Sequence, residues 1–340
     1  MSKILILKND RAGDLFTSLK LISTLMRDFR NVKIYLSELN ISFSFFFKEK
    51  NIKKVNYNLS IRNKITILYD IFINNYEKIY ILSPKSFYFW LPFFFRKTQF
   101  YAIVYDGKKR DRPSNFLRKY LHKYRIVSRR KINRYSYRQF QNQLIDKNKE
   151  LDENYSNLFL PKVDPNTIKL LPEKYIFFQF RYKFFNELKW SDRDIIIFLD
   201  FLKSKYEFVL FCSDYENNKT SNKFKNFFLK NFSYLDLALN KKHNNPKYNC
   251  IYYLKDLSGV DMFNVIKKST MCIAKEGIVS HICYFHKIKC HNLFNFKINN
   301  FNDIVHQKIS YSEWCKDMKF SFTFLNNNIQ KTLKKIKNQI

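Results

Sequence analysis

Asp14, in the run KNDRAGDLFTSL at 8–19, follows a short apolar stretch and sits beside Gly13, one of only four glycines in 340 residues. A glycine kept in so glycine-poor a chain predicts a tight turn that lets a ligand approach the backbone. Asp14 would then point at that ligand, and a carboxylate there can take the proton of a hydroxyl as it attacks. Acidic residues also favour the first turn of a helix, where they meet the dipole, and both readings stand on these residues alone.

Three further stretches carry chemistry. In KEGIVSHICYF (275–285), Gly277 precedes a helical pattern whose first amides would make an anion site suited to a diphosphate. Glu276 could accept from ribose hydroxyls and His281 could donate to a phosphate or sugar. Equally, Glu276 could cap the helix and His281 could be a core histidine. In RYKFFNELKW (181–190), Lys189 lies just before an amphipathic helix and could neutralise a phosphate, although it is one lysine among many. Cys283, His286, Cys290 and His291 form C-x2-H-x3-C-H, all zinc-ligand types. The pattern puts 278–286 on a helix and 287–294 on a strand, which splays the four side chains, so no metal is expected.

The elements that must position these residues alternate. KILIL (3–7) is a short apolar run of the kind found in buried parallel strands. Apolar residues at 15, 16, 19, 22, 25, 26 and 29 then predict a helix from Asp14 to about Phe29. VKIYL (32–36), KIYIL (78–82) and QFYAIVY (99–105) read as strands, and 114–150 reads as largely helical. PKVDPNTIKLLPEK holds three of the seven prolines and predicts a linker over 161–173. Beyond it the alternation restarts with KYIFFQF (174–180), EFVLFC (207–212), CIYYL (250–254) and MCIA (271–274). Ser191 with Asp194, and Ser258 with Asp261, have the spacing of capping boxes. Two doubly wound α/β domains follow, over 1–160 and 174–325, with a closing helix in 326–340.

Composition narrows the partners. A net charge of +33 suggests nucleic acid or an anionic membrane. Much Lys, Asn, Ile, Phe and Tyr with little Gly or Pro is also what an AT-rich coding sequence yields, so the charge alone identifies no partner. RRKINRYSYRQF (129–140) has the basic–aromatic interleaving of nucleic-acid binders, but basic residues are spread over the whole chain. No nucleic acid is expected, and a basic nucleic-acid-binding protein stays as the alternative reading. The six cysteines show no CxxC pairing and several lie in apolar runs, as reduced thiols of a cytoplasmic protein do. SFYFWLPFFF (86–95) is too short to span a bilayer and contains Pro92. Flanked by Lys85, Arg96 and Lys97, it reads either as a buried helix or as a contact with an anionic inner leaflet.

In order along the chain, these stretches resemble glycosyltransferase family 9, which includes the lipopolysaccharide heptosyltransferases. ILILKNDRAGDLFTSLKLISTL is similar to the family's opening strand and R-x-G-D-type loop, and ELKW (187–190) to its K-x-W-like motif. DLSGVDMFNVIKKSTMCIAKEGIVSHICYF is similar to its helix, strand and acidic-Gly loop reaching a histidine. The likeness covers about residues 1–295, and Ile278 stands where an E-G-G-x-x-H variant has its second glycine. The resemblance implies a GT-B fold, two Rossmann-like domains facing a central cleft, and inverting, metal-independent sugar transfer without a cofactor. It makes Asp14 the general base, with Arg11 and Gly13 beside the acceptor. Lys189 becomes a phosphate contact, Glu216 (in FCSDYENN) and Glu276 ribose contacts, and Gly277, Ile278 and His281 the lining for diphosphate and sugar. The donor it implies is a nucleotide-diphosphate sugar, an ADP-sugar first, with heptose one candidate sugar. The acceptor is a glycolipid or oligosaccharide such as the lipopolysaccharide core, reached from the cytoplasmic face of the inner membrane. A GT-B protein with another donor, or with no catalysis, is the remaining alternative.

Overall fold

The computed structural model describes residues 3–340 except 107–112, 129–133, 146–149, 163–164, 214–218, 276, 296–303, 306–307 and 312–319. The chain divides into two compact units, one of Met1–Pro161 with Asn302–Ser310, the other of Lys162–Phe301 with Tyr311–Ile340.

Unit 1 is built on six parallel strands: β1 (Lys3–Lys8), β2 (Asn31–Ser37), β3 (Ile52–Val55), β4 (Lys78–Ile81), β5 (Gln99–Tyr105) and β6 (Lys123–Val127). Their order, β3-β2-β1-β4-β5-β6, is that of a Rossmann domain. The strands alternate little because both faces are covered, so Ile4, Leu5, Ile6 and Leu7 are all buried. One face carries α1 (Ala12–Asp28), which runs on one turn past β1. The other carries α2 (Ile61–Asn74), a 3-10 turn at Ser86–Trp90, α3 (Leu91–Phe94) and α4 (Asn115–Arg118), packed over Leu5, Leu7, Ile79 and Phe100. A short helix, α5 (Tyr137–Asn142), lies against α1. The expected helical stretch 114–150 is therefore corrected: its described residues hold β6 and two short helices, because alternation in KYRIV outweighs its basic residues.

Unit 2 has eight strands: β7 (Ile176–Gln179), β8 (Val209–Cys212), β9 (Ser233–Asp236), β10 (Lys241–His243), β11 (Ile251–Lys255), β12 (Met271–Lys275), β13 (Cys290–Asn295) and β14 (Ser321–Leu325). Their order is β10-β9-β11-β8-β7-β12-β13-β14, with only β10 antiparallel. The proline-rich segment before β7 carries a short helix, α6 (Pro165–Leu170), begun by a proline whose fixed φ suits a first helical position. α7 (Tyr182–Glu187), α8 (Asp192–Lys203), α9 (Lys219–Asn231) and a closing α12 (Ile329–Ile336) bury Phe184, Phe198, Phe228 and Ile336 on one face. α10 (Gly259–Lys268) and α11 (Ile278–His286) pack together. Both expected capping boxes form, Ser191 with Asp194 and Ser258 with Asp261.

Candidate active site

In open parallel sheets ligands sit at the carboxyl ends of the strands where the strand order reverses. In unit 1 that point lies between β1 and β4, and a cavity of about 560 Å³ opens there. Asp10, Arg11 and Asp14 reach it from the β1–α1 connection, Tyr57 and Lys64 from the β3–α2 side, and Ser83 and Phe87 from beyond β4.

Gly13 is corrected in one respect. It lies inside the first turn of α1 without a positive φ, so no tight turn demands a glycine there. Arg11 takes the N-cap position, which puts Asp14 third in the helix, and the Asp14 carbonyl accepts from Thr17 Oγ1 at 2.7 Å. The Asp14 side chain is open to solvent on its pocket side while protein crowds the rest. Burial, the largest effect, and the negative charge of Asp10 raise its pKa to about 6, against Lys8, Arg11 and a hydrogen bond from the Arg11 backbone. Asp14 thus combines access with a base strength closer to neutrality than an ordinary aspartate.

Sequence reasoning passed over Asp10 and Ser83. Lys8 is 1% exposed and its Nζ donates to Asp10 Oδ2 at 2.7 Å. The other oxygen, Asp10 Oδ1, is buried with no partner, and so is Oγ of Ser83, which is 2% exposed. Buried polar atoms are nearly always paired, so two orphans lining one cavity mark where a ligand's hydroxyl groups would bond. A signal was present for Asp10, a second carboxylate four residues before Asp14 in the same loop.

The matching point in unit 2 lies between β7 and β12, which pair from Met271↔Ile176 to Ala274↔Gln179. Gly277 takes the N-cap position of α11 with φ +157°, a conformation L side chains rarely adopt. A Cβ at Gly277 would stand 3.2 Å from Arg181 Nη1, so the guanidinium at the end of β7 lies over the start of α11. Helix amides and an arginine at one spot form an anion site. Gln179, the last residue of β7, is buried with its side-chain oxygen unpartnered. Ile278 and His281 are half-buried in the first turn of α11, and His281 meets Tyr284 edge-on.

Lys189 follows α7 in the same unit. It is exposed with φ 56° beyond the far end of α7, six residues of helix away from Arg181. Arg181 is what the sequence reading missed; its position right after the unit's first strand mirrors Arg11 after β1. Glu216 and Glu276 lie outside the described residues. The C-x2-H-x3-C-H residues are splayed only in part: Cys283 lies beside Cys290 and Cys272, while the two histidines face other neighbours. His291 bonds Thr323 Oγ1 through Nε2 at 2.8 Å, His286 packs on Phe263, and Cys283 and Cys290 are buried. Among the described residues no group of three or more His, Cys, Asp or Glu could hold a metal ion.

No family model matches the sequence, and no curated protein sequence matches it. Solved structures do. The E. coli ADP-heptose lps heptosyltransferase II aligns with TM-score 0.61 at 11% identity, covering 99% of this chain and 98% of that one. A glycosyl transferase family 9 protein from Veillonella parvula gives TM-score 0.59 at 12% identity, over 99% and 90%. The UDP-GlcNAc 2-epimerase from Methanocaldococcus jannaschii gives TM-score 0.57 at 12% identity, over 99% and 92%. The fold is therefore α/β with two Rossmann-like domains, the GT-B class expected from the sequence. At these identities the likeness shows the fold alone, which heptosyltransferases and epimerases share.

Proposed function

We propose that the chain is an inverting, metal-independent glycosyltransferase that moves a sugar from a nucleotide-diphosphate donor to a lipopolysaccharide-core or related glycan acceptor. The observation that carries this reading is Asp14. It stands in the switch-point cavity of unit 1 with its pKa raised to about 6, beside two orphaned polar atoms suited to sugar hydroxyls. An epimerase of the same fold has no need of a second cavity for an acceptor hydroxyl.

An acceptor hydroxyl has a pKa far above neutral, so Asp14 takes its proton as the oxygen bonds to the anomeric carbon. The bond from that carbon to the diphosphate breaks on the opposite face, which inverts the centre. The leaving diphosphate gains negative charge, and the first amides of α11, with Arg181, are placed to stabilise it. Lys189, Ile278 and His281, with Glu216 and Glu276 on the ribose, complete the donor contacts in this reading. An ADP-sugar is the first donor to try. The protein works in the cytoplasm, at the inner face of the inner membrane; no described helix is long and apolar enough to cross one.

Thermal melting with ADP, GDP, UDP and a single-stranded oligonucleotide tests this. One nucleoside diphosphate at 100 times its Kd should stabilise by about 2.7 kcal/mol, and Arg181→Ala should cut the shift by about half or more at the same concentration. Stabilisation by the oligonucleotide above every nucleotide would overturn the reading in favour of nucleic-acid binding.

A further inference from the structure

The face of α2 turned away from the unit 1 core is apolar. Ile61, Ile65, Tyr69, Phe72 and Ile73 recur at helical spacing and are all exposed, Ile61 at 76% and Phe72 at 69%. This is not a core face wrongly turned out, because the inner face is pinned. Ile67 and Ile71 are buried there, and Asp70 Oδ1 receives Lys33 Nζ at 2.8 Å and Lys53 Nζ at 2.9 Å. Tyr76 donates to its other oxygen at 2.9 Å.

The same layer carries a second exposed apolar group, whose members all meet the Phe93 ring. Trp90, Phe94 and Phe116 are exposed on neighbouring elements that pack on the same core as Ile67 and Ile71. Within 85–97 the structure thus divides the residues: Tyr88, Phe89 and Leu91 go inside, while Trp90 and Phe94 face out. Exposed apolar side chains grouped on one layer of a folded domain mark an interaction site.

Charge chooses the occupant. Arg62, Arg96, Lys97 and Lys119 are exposed on this layer, and between 61 and 105 the only acids are Asp70, paired inward, and Glu77. A second copy of a chain carrying +33 is a poor electrostatic match for this face. An anionic bilayer matches both properties: basic side chains meet the headgroups, the apolar stripe sinks below them, and Trp and Tyr favour that boundary.

We propose that this layer docks the protein on an anionic lipid bilayer, with α2 lying in the headgroup plane. Lys64 of α2 and Phe87 line the cavity that holds Asp14, with Lys64 Nζ 5.9 Å from the Phe87 ring centre. Docking therefore sets that cavity beside the headgroups, where a glycolipid presents its sugars. The docking stands on the exposed surface and not on the transfer reading.

Co-sedimentation with phosphatidylglycerol–phosphatidylcholine vesicles tests it, at roughly 0.1 M and 0.5 M salt to separate screened from unscreened attraction. The charge-neutral double variant Ile65→Ser/Phe72→Ser, with circular dichroism to check its fold, should partition about tenfold less at both salt levels. Arg96→Gln/Lys97→Gln/Lys119→Gln should weaken binding mainly at low salt. Unchanged partition of the Ser variant, or equal binding to pure phosphatidylcholine vesicles, would overturn the proposal. So would sedimentation velocity showing a wild-type dimer that the Ser variant disperses, because the stripe would then be a self-interface.

Discussion

Replacing Asp14 by Asn should separate activity from stability. Asn keeps the shape and cannot take a proton, so loss of the general base should cost at least about 10²-fold in transfer. The sign of the stability effect follows from the raised pKa of about 6 against an ordinary 3.8. Such a group adds stability that is fully present below the unfolded value and is lost as pH rises through the folded one. Ionised Asp14 is therefore a cost at neutral pH. The full shift would amount to about 3 kcal/mol at 1.36 kcal/mol per unit. Solvent reaches the side chain and screens it, which reduces the figure to on the order of 1 kcal/mol. The Asn variant should then melt about 2–4 °C higher at pH 7.5 and show no gain below pH 4. Wild-type turnover, followed by nucleoside diphosphate release, should rise about tenfold per unit below pH 6 and level off above it. Turnover of the Asn variant close to wild type, or a wild-type profile flat between pH 4.5 and 7, would refute the assignment.

Arg181→Ala should weaken nucleoside diphosphate binding by roughly 1.5–3 kcal/mol in calorimetry, whereas Lys189→Ala should cost less, because only Arg181 lies over the start of α11. Gly277→Ala forces a side chain into the +157° conformation against Arg181, and should weaken the same binding by about 1–3 kcal/mol. Asp70→Asn leaves Lys33 and Lys53 without their anion; with both lysines partly exposed, chemical unfolding should show a loss of about 2 kcal/mol. Burial raises the Asp70 carboxyl, but hydrogen bonds from Lys33, Lys53 and Tyr76 hold it below its ordinary value. That contribution is present above the unfolded pKa and fades as pH falls, so wild type and variant should converge in acid.

Much of the fold was legible because the strands are doubly covered and read as plain apolar runs, as in KILIL and MCIA. Local chemistry was also legible: both Ser–Asp capping boxes and the carboxylate after β1 depend on neighbours three or four residues away. What failed depends on distant residues or on short, charged strands. IKKV (β3) and KKH (β10) carry too few apolar residues to stand out from loops. Arg181 and Gly277 are 96 positions apart and meet only because β7 pairs with β12. Nothing in FFNEL announces that a full helix, α7, stands between the end of β7 and Lys189. On α2 both faces are apolar, so spacing predicts the helix but not which side Ile67 and Ile71 choose; the Asp70 ion pairs decide it.

Mass spectrometry of surface glycans from cells with and without this gene tests the central claim most directly. The account predicts glycans one sugar residue short in its absence, restored by the wild-type gene and not by Asp14→Asn. Identical glycans in all strains, or full restoration by the Asn variant, would contradict it.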